Sequence, residues 1–342
     1  MPALAQDNRP AVGTVDPLVS LDDAITDISW DDSGESFYAG LANGSIYYIS
    51  KDGELLRHWK AHKGGVTRVA VNPDGADFAS AGEDGRVLLW DKDRRETIEL
   101  ANEPVWIEQL EWSGSGNVLA AAAGKSIYLW RGSESIGVWY DARRHVQAMS
   151  WQPAGSKLAT ATNKGLYLWH LGNEEPVELL AFPGAAVSVA WKPDGRALAV
   201  GTQDGFLQIW RQGNGSGSSQ LTMSGYPGKV SNLGWHPQKN ILATAGGSDL
   251  VIWDMTGSKR KAVPVNCHEH MITALSFSPD GSHVASADMS GQVYLCSATG
   301  KCIGALQTGV EITSLTWDVS GSRLLLGGIE GRIDTFYLNS LL

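Results

Sequence analysis

Apolar and polar residues alternate with a period of two along most of this chain, in runs of five or six residues. The stretch VTRVAV, FASAG and RVLLWD, spanning residues 66 to 91, is representative: the turns between its runs are built from Asn, Pro, Asp and Gly. Alternation of this kind, rich in β-branched residues and broken by turns at roughly ten-residue intervals, predicts short antiparallel strands. No segment longer than a turn or two carries helical periodicity, so an all-β chain is expected.

The strand pattern repeats. ITDISWDDSG recurs as VTRVAVNPDG, IEQLEWSGSG, VQAMSWQPAG, VSVAWKPDG, VSNLGWHPQK, ITALSFSPDG and ITSLTWDVSG. The residue before each turn is Trp30, Val71, Trp112, Trp151, Trp191, Trp235, Phe277 or Trp317, spaced 39 to 44 residues apart. Each copy closes on a third strand ending at Ile49, Trp90, Trp130, Trp169, Trp210, Trp253, Cys296 or Phe336. Four strands in a repeat of this length make a propeller blade. Eight blades are expected, with seven as the alternative if the first copy is miscounted. The last copy ends near the C-terminus with three strands, so its outer strand must come from about residues 18–21. Residues 18–342 then form one β-propeller behind a tail of residues 1–17. The positions equivalent to Trp59 in the fourth strands are Leu18, Leu100, Trp139, Leu180, Met223, Val265 and Ala305. All are apolar, as an inward-facing row requires. RQGNGSGSSQ, residues 211 to 220, reads as a flexible loop between the third and fourth strands of blade five.

Blade two has His62 before its first strand, Ser80 in FASAG, Asp84 in the EDG turn and Trp90 in LLWD. With these residues the chain resembles the WD-repeat β-propeller family over nearly its whole length. The resemblance implies a hydrogen-bonded network from Asp84 and His62 through Ser80 to the Trp90 indole. Other copies depart from it: the Trp-Asp pair survives only at Trp90-Asp91 and Trp253-Asp254, and blade seven has Ser290 in the place of Asp84 and Cys296 in the place of Trp90.

Charge narrows the partner classes. With 27 Lys and Arg against 37 Asp and Glu, the net charge is −10, which disfavours sequence-independent nucleic-acid binding. No apolar run is long enough to span a membrane as a helix. Three cysteines, Cys267, Cys296 and Cys302, do not make a disulfide framework and suit a reducing compartment. Without a secretory pattern at residue 1, a cytoplasmic location is the expectation.

Of 14 tryptophans, 11 fill the two repeat positions and Trp59 and Trp139 fill the outer strand, which leaves Trp106. It stands immediately before an inner strand, equivalent to Ala24, Gly65, His145, Ala185, Lys229, Met271 and Glu311. The resemblance places these positions on the loop-bearing face where peptide partners dock. Trp106, Arg143, Arg144, His145, Tyr226, Lys229, His270 and Met271 are the candidate contacts, because Trp and Arg are enriched at binding hot spots. The expected partner is another protein or a peptide, including one with an acidic segment, and no cofactor is expected. Cys267, His268 and His270 in NCHEHM are weak metal-ligand candidates, since no second Cys or His pair stands at ligand spacing and His268 matches His62. The repeated docking turn of quinone-dependent propeller enzymes is absent, and no HExxH, GxSxG or phosphate-loop motif occurs. A non-catalytic scaffold is therefore the expectation, with a metal-linked binding protein or a cofactor-dependent enzyme as alternatives.

Overall fold

The computed structural model describes residues 12–14 and 17–338, apart from 76, 92–95, 141–144, 154, 213–217 and 258–259. The candidates Arg143 and Arg144, and the centre of the glycine-serine loop of blade five, lie outside the described residues. Eight antiparallel sheets form a ring, and no α-helix occurs among the described residues. Blade two shows the plan: an inner strand Val66–Val71, then Phe78–Gly82, Arg86–Trp90 and the outer strand Thr97–Asn102, each pairing with its neighbour in sequence. The second strand of this blade is buried along its whole length, because it packs against adjacent blades on both faces.

The eighth blade combines Ile312–Trp317, Arg323–Gly328 and Arg332–Tyr337 with Pro17–Ser20, which pairs antiparallel with the third of these. The expected closure by an N-terminal strand is thus observed, starting one residue earlier. Residues 12–14, assigned to a tail on the sequence, form a further strand. Val12–Thr14 runs parallel to Cys302–Gln307 and gives blade seven a fifth strand. Its backbone satisfies an outer edge that would otherwise offer unpaired N–H and C=O groups.

Two repeated bonds stitch the ring. The register slips between the first and third residues of the inner strand in seven of the eight blades. A bulge of this kind re-aims the residue it contains. The Thr67 hydroxyl donates to the Ile107 carbonyl at 2.5 Å, Thr273 to Ile312 at 2.5 Å, and Thr313 to Ile25 at 2.6 Å. The last of these joins blade eight to blade one, so the closing seam uses the same bond as the others. The indole N–H of the turn-preceding Trp makes the second stitch, donating to a carbonyl one blade back. Trp112 reaches Ala70 at 3.1 Å, Trp151 reaches Glu111 at 3.2 Å, Trp235 reaches Ala190 at 3.0 Å and Trp317 reaches Ser276 at 3.3 Å. Trp30 and Trp191 occupy the same position without a hydrogen-bond partner for the indole.

The inward row of the outer strands is confirmed where it is most informative. Trp139, Leu180, Val265 and Ala305 are buried, and Trp139 stacks on Trp169 at 5.4 Å.

Candidate functional site

The interior networks decide which unusual side chains are free to act outside. In blade two, the Asp84 carboxylate can only accept, so His62 Nδ1–H donates to it at 2.9 Å. His62 Nε2 then accepts from the Ser80 hydroxyl at 2.9 Å, and Ser80 Oγ accepts from the Trp90 indole at 3.0 Å. Burial lowers the affinity of His62 for a second proton, against the pull of Asp84. Burial opposes ionisation of Asp84 too, but bonds from the Lys63 N–H and from His62 outweigh it and hold the carboxyl below its ordinary range.

Blade seven rebuilds this network from a different residue. Asp288, two positions before Ser290, meets His268 Nδ1 at 2.8 Å, while Ser286 Oγ meets Nε2 at 2.8 Å. Ser290 donates its N–H and hydroxyl to Asp288. Loss of the acidic residue from the turn is therefore compensated from the end of the second strand. The equivalent of Asp288 in blade two is Gly82, where an added Cβ would meet His62 Nδ1 at 2.4 Å. The turn carboxylate is used where that position is bare.

Tyr226, grouped with the contact residues on the sequence, occupies the position of His62 in blade six. Its hydroxyl bonds Thr244 Oγ1 and accepts from the Trp253 indole at 2.8 Å. Burial pushes its phenol up to about 12. Tyr226 is thus turned into the blade and is not a surface anchor. The sequence carried the signal: Tyr226 stands 18 residues before Thr244, as His62 stands before Ser80, and Trp253 follows after 9 residues where Trp90 follows after 10.

The remaining described candidates, Trp106, His145, Lys229, His270 and Met271, lie in the loops that lead into the inner strands. In blades one, two, five, seven and eight the N–H of the second-to-third-strand turn donates to the carbonyl before the inner strand: Ala42 to Ala24 at 2.9 Å, Glu83 to Gly65 at 2.9 Å, Gln203 to Ala185 at 2.8 Å, Met289 to Met271 at 3.1 Å and Ile329 to Glu311 at 3.1 Å. These bonds fix the backbone at five positions of the row to which Trp106 belongs and use none of its side chains. Trp106 is 55% exposed beside Val105 at 47%, while Ile107, next in the chain, is fully buried. His145, Lys229, His270 and Met271 are also exposed. His145 Nε2 lies 3.1 Å from Glu108 Oε2, so the ring reaches from blade four to the strand that Trp106 precedes. Met289 and Ile329, exposed in the turns of blades seven and eight, adjoin these loops at Met271 and Glu311. Sequence reasoning missed both, although each interrupts a turn position otherwise polar in several copies.

The weak metal-ligand candidates in NCHEHM, Cys267, His268 and His270, do not come together. Both His268 nitrogens are engaged in the blade interior, and His270 is exposed. The Cys267 sulfur instead joins Cys296 and Cys302, all three within 4.8 Å of one another. Hydrogen bonds from Cys267 and Cys296 hold the Cys302 thiol well below its usual range, and Cys296 is pushed up by its bonds to Cys267 and Cys302 and by burial.

An eight-bladed ring with a His-Ser-Trp network in blade two and related networks in blades six and seven, stitched by turn tryptophans and carrying an apolar spot on its loop face, defines a propeller of the repeat type. Four segments, residues 53–91, 177–211, 217–254 and 260–297, match the model described as "WD domain, G-beta repeat". The chain carries WD40 repeats in these four segments and folds as an eight-bladed β-propeller. It is 22% identical over 272 residues to the SIR4-interacting protein SIF2 of Saccharomyces cerevisiae, covering 79% of this chain and 46% of that protein. It is 23% identical over 304 residues to telomerase protein component 1 of Mus musculus, covering 79% of this chain but 11% of that protein. The chain thus spans less than half the length of these curated relatives. Among solved structures, Sqt1 of Chaetomium thermophilum bound to the N-terminus of ribosomal protein L10 superposes with a TM-score of 0.82 at 17% identity, covering 94% of this chain and 100% of that one. The WD40 domain of Sif2 gives 0.80 at 17% identity, covering 96% and 99%. At these identities the likeness shows a shared fold.

Proposed function

We propose that this protein is a non-catalytic scaffold that holds a protein or peptide partner on its loop-bearing face, with Trp106 as the anchor. The observation that carries the reading is the exposed Val105–Trp106 pair immediately before an inner strand. Its neighbour Ile107 is locked in the core, so burying the indole in a partner costs little ordering entropy. The Sqt1 complex supports the reading, since a propeller of the same fold holds the N-terminus of another protein. Arg143, Arg144 and Lys229 would favour a partner segment with acidic residues flanking an apolar side chain, because long-range attraction steers encounter more than it adds affinity.

The test is capture of partners by the immobilised protein, compared with Trp106→Ala and followed by mass spectrometry. A partner retained by the wild type and lost by the variant, with thermal stability unchanged, supports the reading. Equal capture by both proteins overturns Trp106 as the anchor. Capture that does not weaken as salt rises overturns the acidic-segment preference, because exposed charges are screened.

A further inference from the structure

We infer that Cys267, Cys296 and Cys302 form a three-thiolate site for a soft monovalent cation, copper(I), in the seam between blades six and seven. The three sulfurs come from separate places in the chain. Cys267 follows the outer strand of blade six, Lys261–Val265, and Cys296 and Cys302 face each other across the third and fourth strands of blade seven. All are free thiols, the first two buried and Cys302 half-buried. Cys296 stands where other blades place the large indole of the repeat, so blade seven exchanges a packing residue for a sulfur ligand. With Cys267 and Cys302 gathered around it, the arrangement uses every cysteine of the chain.

The donor set selects the ion. Soft thiolates favour copper(I), zinc and iron–sulfur clusters, and a structural zinc site closes with four ligands. Among the described residues no imidazole or carboxylate completes a fourth position beside the trio. The nearest histidine in sequence, His268, has both nitrogens committed to Asp288 and Ser286. The surrounding cluster includes Val263, Val265, Leu275 and Tyr294, a mainly apolar lining that offers little to hold a zinc-bound water. Copper(I) is content with three sulfurs. Binding forms up to three S–Cu bonds and releases the corresponding thiol protons to solvent, with no change of oxidation state.

The test is an anaerobic titration of the reduced full chain with copper(I) against a chromogenic copper(I) chelator. It is followed in parallel by thiolate-to-copper charge-transfer absorption. One copper per chain is expected, with Cys302→Ser weakening binding by about 100-fold or more, at the upper end of what supporting residues around metal sites cost. Cys302 is the least buried of the three, and circular dichroism of C302S checks that the propeller is retained. Cys267→Ser provides a second variant that keeps both sulfurs of blade seven. Copper binding unchanged in both folded variants overturns the inference. Zinc binding of equal strength overturns the assignment to copper(I). A count of one free thiol in the freshly isolated folded protein overturns it as well, because a disulfide would then occupy two of the three ligands.

Discussion

Replacing Glu111 by Gln is expected to stabilise this propeller at neutral and alkaline pH. Glu111 lies on the inner strand of blade three, Ile107–Trp112, and its Oε1 accepts the Trp151 backbone N–H of blade four at 3.1 Å. Burial in the seam raises its carboxyl from 4.5 to about 7, against that single compensating bond. The sign follows from proton counting. Between pH 4.5 and 7 the folded protein keeps a proton that the unfolded chain has lost, so stability falls as pH rises through this window and is flat above it. At about 1.4 kcal/mol for each unit of displacement, the full penalty is about 3 kcal/mol above pH 7. Gln is neutral, has nearly the same volume and keeps an oxygen for the Trp151 N–H. Urea unfolding followed by tryptophan fluorescence from pH 4.5 to 8.5 measures both proteins. His62 contributes an opposite slope, because its lowered affinity for a proton removes stability as pH falls below 6.5. Asp27 and Asp334, both raised by burial, contribute slopes of the same sign as Glu111. The difference between the two proteins removes these shared slopes. It is expected to be near zero at pH 4.5 and to grow to a gain of about 3 kcal/mol for E111Q at pH 8. A constant difference across the range would refute the assignment of Glu111 as a protonated seam residue.

Two further substitutions test the interior networks. Ser80→Ala leaves the Trp90 indole N–H and His62 Nε2 without partners, and is expected to cost about 1–3 kcal/mol for each group, read as a lower urea midpoint. Tyr226→Phe removes one of two acceptors for the Trp253 indole, since Thr244 Oγ1 remains at 3.1 Å. It is expected to cost only about 1 kcal/mol and to leave partner capture unchanged; a loss of capture without a loss of stability would return Tyr226 to the surface.

How much of this was legible beforehand depends on what each residue answers to. The eight blades and the closing strand could be read because strand alternation is local and the turns recur at near-constant spacing. The position of Trp106 could be read for the same reason, as the one indole the repeat does not use. Asp288 was missed because its carboxylate replaces that of Asp84 from the end of the second strand rather than from the turn, and the equivalence exists only in space. Tyr226 was missed although its spacing was on view, because attention to a His at that position hid a phenol doing the same work. The Cys trio was beyond sequence pattern altogether. Cys267 and Cys302 are separated by a whole blade and meet only where the outer strand of one blade leads into the next. The hydrogen bonds from Trp112, Trp151, Trp235 and Trp317 to the preceding blade were equally hidden, since each acceptor is a backbone carbonyl that carries no residue identity.

The most direct measurement is the affinity of a captured partner for the wild type and for Trp106→Ala, determined by calorimetry with purified components and paired with thermal unfolding. If the loop-bearing face is the docking surface and Trp106 its anchor, the variant binds at least about 30-fold more weakly, the equivalent of a hot spot of about 2 kcal/mol, and unfolds at the same temperature. An affinity within about twofold of the wild type would contradict the account, and so would a variant whose weaker binding is matched by a clear loss of thermal stability.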